Sequence, residues 1–88
     1  MHVVVRGHVQ GVGFRYSMVS RARSLGVGGW VRNRSDGSVE AVFEGPADRV
    51  QSMVDWCRRG PSGSRVDSVE EAVEAPQGER EFAHHPGG

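Results

Sequence analysis

Lysine is absent from this chain, and all eleven of its basic residues are arginine. That absence rules out a P-loop nucleotide site, whose glycine loop has to end in Lys-Ser or Lys-Thr. The arginine usage reads as a coding bias, although a guanidinium also suits bidentate anion binding better than an ammonium. Cysteine is nearly missing too. Cys57 stands alone, so no internal disulfide can form, in keeping with a reducing compartment and a packing role. No apolar run approaches the ~20 residues needed to span a bilayer, and no charged-then-apolar signal pattern opens the chain. The expectation is a cytoplasmic protein with no membrane partner. Net charge is also lacking, because the arginines are offset by eleven acidic residues. No global field draws the protein to nucleic acid or an anionic surface. With 88 residues, one domain over residues 1–85 is expected, burying roughly 60 to 70% of its unfolded surface, with a flexible tail at 86–88.

What the chain has in plenty is glycine, and three glycines punctuate the segment Gly7-His8-Val9-Gln10-Gly11-Val12-Gly13-Phe14-Arg15. Little side-chain bulk and access to positive φ let successive backbone N–H groups converge on one concave site. Arg15 adds a fixed positive charge. A helix beginning after the loop would aim its first N–H groups and its positive dipole end at the same spot, which favours a phosphate or carboxylate. Glycine turns between a strand and a helix are common and most bind nothing, so Arg15 directly after the loop is what makes this one a candidate. It is not a dinucleotide fingerprint, because the residue three after Gly13 is Tyr16 rather than glycine. The candidate anion-binding set is His8, Val9, Gln10, Gly11, Val12, Gly13 and Arg15.

The period of the apolar residues divides the chain into elements. His2 to Val9, with three consecutive valines, reads as a first strand. Phe14 to Leu25 reads as a helix closed by Gly26. Trp30 to Arg34 and Val39 to Glu44 read as two strands joined by Ser35-Asp36-Gly37-Ser38, an Asp-Gly hairpin turn. After Gly45-Pro46, the stripe Val50, Met53, Val54 and Cys57 marks a second helix that Gly60-Pro61 ends. Val66, Val69 and Val73, through to Ala75, fit a bulged strand and fit a helix almost as well, since Glu70, Glu71, Ala72 and Glu74 are good helix formers. Only the overall arrangement favours the strand. Pro76 to Glu79 reads as a turn into a short last strand around Arg80 to His84.

The order βαββαβ makes the fold class α+β, a ferredoxin-like βαββαβ sandwich. Its sheet is expected to be mostly antiparallel, with two helices on one face. An architecture of this kind hosts many functions, so the site has to decide among them.

From about Val3 to Phe82 the chain resembles the acylphosphatases. Gly7 to Arg15 is similar to that family's first signature. Gly29-Trp30-Val31-Arg32-Asn33-Arg34-Ser35-Asp36-Gly37-Ser38-Val39-Glu40 is similar to its second, and Gly45, Trp56-Cys57 and Gly60-Pro61 resemble further landmarks in the same order. The resemblance implies a cofactor-free and metal-free hydrolase. Its substrate would be a small acyl phosphate, split at the carboxyl-phosphate bond by in-line water attack with inorganic phosphate as product. It also implies that loop N–H groups from about His8 to Gly13 surround the phosphoryl oxygens, with Arg15 binding two of them and Asn33 orienting the attacking water. Taken alone, Asn33 reads as a turn asparagine at a strand end, and Arg15 as an exposed helix residue paired with a carboxylate.

Three departures stand out. Arg34 occupies a position where the better-known animal members have threonine, Gly13 one where the family is bulkier or has cysteine, and Ala83-His84-His85-Pro86 replaces an arginine-containing ending. Adjacent strand residues face opposite ways, so His84 and His85 make a poor chelating pair and are expected in a solvated tail, with no metal. His8 is a loop histidine that either tunes anion affinity or has no role. Trp30, Trp56 and Cys57 are expected to pack. A monomer is expected. The alternative from another class is a non-catalytic ferredoxin-like module that binds an anion or a partner. RNA binding is disfavoured because neither the first nor the third strand offers the exposed aromatics it needs.

Overall fold

The computed structural model describes residues 1–87. Its elements run β1 (His2–His8), α1 (Phe14–Leu25), β2 (Gly28–Asn33), β3 (Val39–Glu44), α2 (Ala47–Arg59), β4 (Arg65–Ala72) and β5 (Phe82–His84). One five-stranded sheet has the order β4-β1-β3-β2-β5, antiparallel throughout except for the parallel β2–β5 pair. The expected α+β sandwich is therefore present, with a mixed sheet. The two helices cover one face. From the sheet come Val3, Val5, Val31, Val39, Ala41, Phe43 and Phe82, and from the helices Phe14, Met18, Ala22, Met53, Val54, Trp56 and Cys57, all buried in one core. Burial pushes the Cys57 thiol up to about 12, so it packs as a small apolar group.

The ambiguous valine stripe resolves as a bulged strand. β4 runs antiparallel to β1 until Ser68 opposite Arg6, after which Val66 stands opposite Gly7, so Asp67 is the extra residue. The bulge lets Val66 and Val69, three apart, both pack on the core. It also requires glycine on the partner strand. Gly7 has φ +138°, and a Cβ there would lie 2.1 Å from the Arg65 carbonyl oxygen. The sequence reading ran this strand too far, because β4 ends at Ala72 and Val73 is 87% exposed.

Other ends shift slightly. β1 stops at His8, one residue short of Val9, whose side chain turns into the core. β2 begins at Gly28 and leaves Arg34 in the turn. β5 starts at Phe82 rather than near Arg80. The connection before it is folded back by Glu44, whose carboxylate accepts from the N–H groups of Gln77 at 2.9 Å and Glu79 at 3.0 Å. Trp56 packs as expected, its ring 5.2 Å from that of Phe14. Trp30 lies instead on the uncovered sheet face, half-buried, with the Arg32 guanidinium 5.8 Å from its ring centre and His85 stacked at 5.1 Å. His84 ends β5, where the last strand was expected to end, so of the two histidines expected in a solvated tail only His85 lies beyond the strand, and its N–H still donates to the Val31 carbonyl at 2.9 Å. Of the segment read as the tail, residue 88 lies outside the described residues.

Candidate active site

The glycine loop joins β1 to α1, and its geometry follows from which side chains it buries. Val9 is 1% exposed and Val12 packs on the core, so the backbone between and after them is pushed outward. Gly11 at φ +73° and Gly13 at φ +75° turn the chain in the left-handed region, where a Cβ would meet nothing but would strain the backbone. Gly13 is the N-cap of α1 and offers no side-chain cap. The first backbone hydrogen bond at that helix end runs from the Ser17 N–H to the Gly13 carbonyl at 2.9 Å. The N–H groups of Phe14, Arg15 and Tyr16 therefore lack helical partners, and among the described residues no loop or cap hydrogen bond is donated by the backbone of residues 10 to 13.

A cavity of about 120 Å³ opens at this point, lined by Val9, Gly11, Gly13, Phe14, Arg15, Tyr16 and His84. Arg15 sits in the first turn of α1, where the helix dipole is positive and no acidic residue compensates it. No described carboxylate pairs with it, although Arg6, Arg32, Arg34, Arg58 and Arg65 all have acidic partners. Half-buried Arg15, lining the same cavity as Gly11 and Gly13, concentrates positive potential where no described carboxylate neutralises it. A larger cleft of about 440 Å³ between α1 and the end of α2 has its one cation, Arg21, laid over Trp56, and lacks such a cluster.

Gln10 is directed away from the cavity. Its side-chain amide donates to the carbonyls of Arg34 at 2.7 Å and Ser38 at 2.9 Å, fastening the loop to the β2–β3 turn. That turn is itself closed by Asp36, which accepts from the Ser38 N–H and hydroxyl. These bonds, joined by Arg6 and Arg34, hold its carboxyl well below the usual range. Arg34 lies 4.0 Å from the Asp36 carboxylate, so the extra cation that the sequence places next to Asn33 is answered within the turn.

Asn33 ends β2 opposite Val39. It stands two residues beyond Val31, the pairing partner of His84, and so shares with both the sheet face that the helices cover. Its Oδ1 is buried without a hydrogen-bond partner among the described residues, an uncommon condition that an incoming donor would relieve. Of the sequence candidates, Val9, Gly11, Gly13 and Arg15 line the cavity. Val12 supports it from the core side, Gln10 tethers it, and His8 is exposed at the end of β1 opposite Arg65. Phe14, Tyr16 and His84 line the cavity without having been candidates, and of these His84 alone comes from a distant part of the chain. Its alternation with the core residue Phe82 was the available signal, because i and i+2 on a strand share a face.

The fold and this cradle define the class: a ferredoxin-like α+β sandwich with a small cavity, lined by a glycine loop and Arg15, between its first strand and first helix. The acylphosphatase family model matches residues 1–84. An acylphosphatase of Nitrobacter hamburgensis is 59% identical over 78 residues, covering 89% of this chain and 79% of that protein. The crystal structure of acylphosphatase from Bacillus subtilis superposes with a TM-score of 0.89 at 36% identity, over 96% of this chain and 94% of that one. Full-length HypF in its phosphate- and nucleotide-bound form matches with a TM-score of 0.83 at 26% identity, over 98% of this chain but 12% of the larger protein. The chain belongs to the acylphosphatase family.

Proposed function

We propose that the protein is an acylphosphatase that hydrolyses the carboxyl-phosphate bond of small acyl phosphates, and that Arg15 and Asn33 carry the reaction. The observation that supports this most directly is the unneutralised Arg15 guanidinium beside the unpartnered N–H groups of the glycine loop and of the α1 N-terminus. A phosphoryl group seated there takes two charge-assisted bonds from Arg15 and several from the backbone. These stabilise the charge that spreads over the equatorial oxygens in the transition state. The positive charge the reaction calls for thus comes from the guanidinium and the helix end.

The orphaned Oδ1 of Asn33 supports a role in holding water. It accepts one O–H of the nucleophile and fixes its lone pair toward phosphorus. A carboxamide is no base, and none is required. As the new P–O bond forms, the bond to the acyl oxygen breaks, the water's proton passes to a phosphoryl oxygen, and the carboxylate departs unprotonated because its conjugate acid has a pKa of about 4. The products are a carboxylate and inorganic phosphate. In this reading the chain works as a monomer in the cytoplasm.

The test is hydrolysis of acetyl phosphate, with and without a chelator, by wild type, Arg15→Ala and Asn33→Ala, using a phosphate monoester as the control substrate. Arg15→Ala is expected to lose at least ~10²- to 10³-fold in kcat/KM and to bind phosphate more weakly. Asn33→Ala is expected to lower kcat with phosphate inhibition nearly unchanged. No turnover by folded wild type would favour a non-catalytic anion-binding module. Equal phosphate inhibition in Arg15→Ala would remove the assigned clamp.

A further inference from the structure

His84 lines the same cavity as the glycine loop. It is the last residue of β5, pairs in parallel with Val31 of β2, and so points toward α1, whose first turn carries Arg15. Both side chains line the same 120 Å³ space. The imidazole is exposed at its rim and makes no hydrogen bond to another described residue. We propose that His84 is a second, protonatable cation of this site, which binds an oxygen of the seated phosphoryl group and couples substrate affinity to proton uptake. The inference rests on the phosphate-cage reading given above.

Two cations facing one small cavity repel each other when nothing lies between them, and an anion between them relieves both. Partial burial and then the charge of Arg15 lower the pKa of His84 from its ordinary value, so the free protein holds this imidazole mostly neutral at neutral pH. A dianion in the cradle screens Arg15 and offers the imidazolium a partner, which raises that pKa again. By linkage, anion binding then takes up a proton, and affinity rises as pH falls from the bound-state value to the free-state value.

No other described charge competes for this imidazole. From α1, Arg15 and Tyr16 face it, while Arg23 reaches the β5 backbone at the Phe82 carbonyl, 3.3 Å away. From β2 come the neutral Val31 and Asn33, and the loop lines the cavity with Val9, Gly11 and Gly13. His85 turns to the other face against Trp30.

Sulfate is the suitable probe, since it stays a dianion across the range in which phosphate itself titrates. Its dissociation constant would be measured calorimetrically at pH 8 and pH 5, in buffers of different ionisation enthalpy, for wild type, His84→Gln, His84→Lys, His8→Gln and Arg15→Ala. Wild type is expected to bind about tenfold more tightly at pH 5, a modest coupling factor, with proton uptake. His84→Gln should lose both the pH slope and the uptake, and His84→Lys should bind tightly at both pH values. Persistence of the slope in His84→Gln, or its loss in His8→Gln instead, would overturn the role of His84. If Arg15→Ala bound sulfate as well as wild type, the phosphate cage would fall and this inference with it. If Arg15→Ala lost binding while His84→Gln kept the slope, only the role of His84 would fall.

Discussion

Gln10 ties the glycine loop to the turn that follows Asn33, and its removal has a calculable effect. Its amide makes two hydrogen bonds, to the carbonyls of Arg34 and Ser38. Neither acceptor would be orphaned in Gln10→Ala, because the Arg34 carbonyl also accepts from the Gly37 N–H at 3.2 Å and the Ser38 carbonyl from the Arg34 N–H at 2.9 Å. The cost is therefore that of two ordinary bonds without a desolvation penalty, about 1–2 kcal/mol in all. In urea that corresponds to a midpoint lower by about 1–2 M, given a slope near 1 kcal/mol/M. The kinetic effect is the sharper one. Asn33 directly precedes Arg34, and slack of about 1 Å at a reacting group can cost ~10²-fold. With the β2–β3 ladder still holding Asn33, a loss of about tenfold in kcat is expected, with phosphate inhibition little changed. Gln10→Glu should do worse, since a carboxylate cannot donate and would face two carbonyl oxygens. Stopped-flow turnover and urea titration on the same samples check both numbers. A Gln10→Ala protein with wild-type midpoint and wild-type kcat would refute the tether. One that lost phosphate affinity in step with kcat would place Gln10 in the cage itself.

Two further outcomes follow from the framework that carries the site. Gly29 has φ +134°, and a Cβ there would lie 1.8 Å from the Val42 carbonyl oxygen, so Gly29→Ala should destabilise by about 3 kcal/mol or more through clash and backbone strain; a thermal midpoint equal to wild type would refute this. Glu40 is held by His2 and Arg32, each at 2.6 Å, and these bonds outweigh burial and lower its pKa from 4.5. A carboxyl depressed in the folded state contributes stability that is complete above its unfolded value and fades as pH falls through the folded one. The stability advantage of wild type over Glu40→Gln should thus shrink as pH falls from about 5 toward 3, since an unfolded glutamate titrates near 4.3; an advantage that grew over that range would contradict the pairing.

Most of the fold was legible in the chain because its punctuation is strong. Gly26, the Asp36-Gly37 turn, Gly45-Pro46 and Gly60-Pro61 bound segments whose apolar periods differ, and every element they delimit is present. The strand with valines at positions 66, 69 and 73 was ambiguous for a physical reason: a bulge changes the period by one residue. Whether a bulge exists depends on the partner strand, where Gly7 admits it. That Arg15 and the glycine loop stand side by side was legible because they are adjacent in the chain, and both line one cavity.

By itself, then, the sequence determined the glycine loop, the cation that follows it and the order of the elements, since each depends on residues adjacent in the chain. Only the tertiary structure decided what else meets the glycine loop. The β2–β5 pairing carries His84 to Arg15, 69 positions earlier in the chain, and the side chain of Gln10 reaches the turn that follows Asn33. Such contacts arise from strand register and loop closure, and no local pattern around His84 or Gln10 encodes which distant neighbour each will meet.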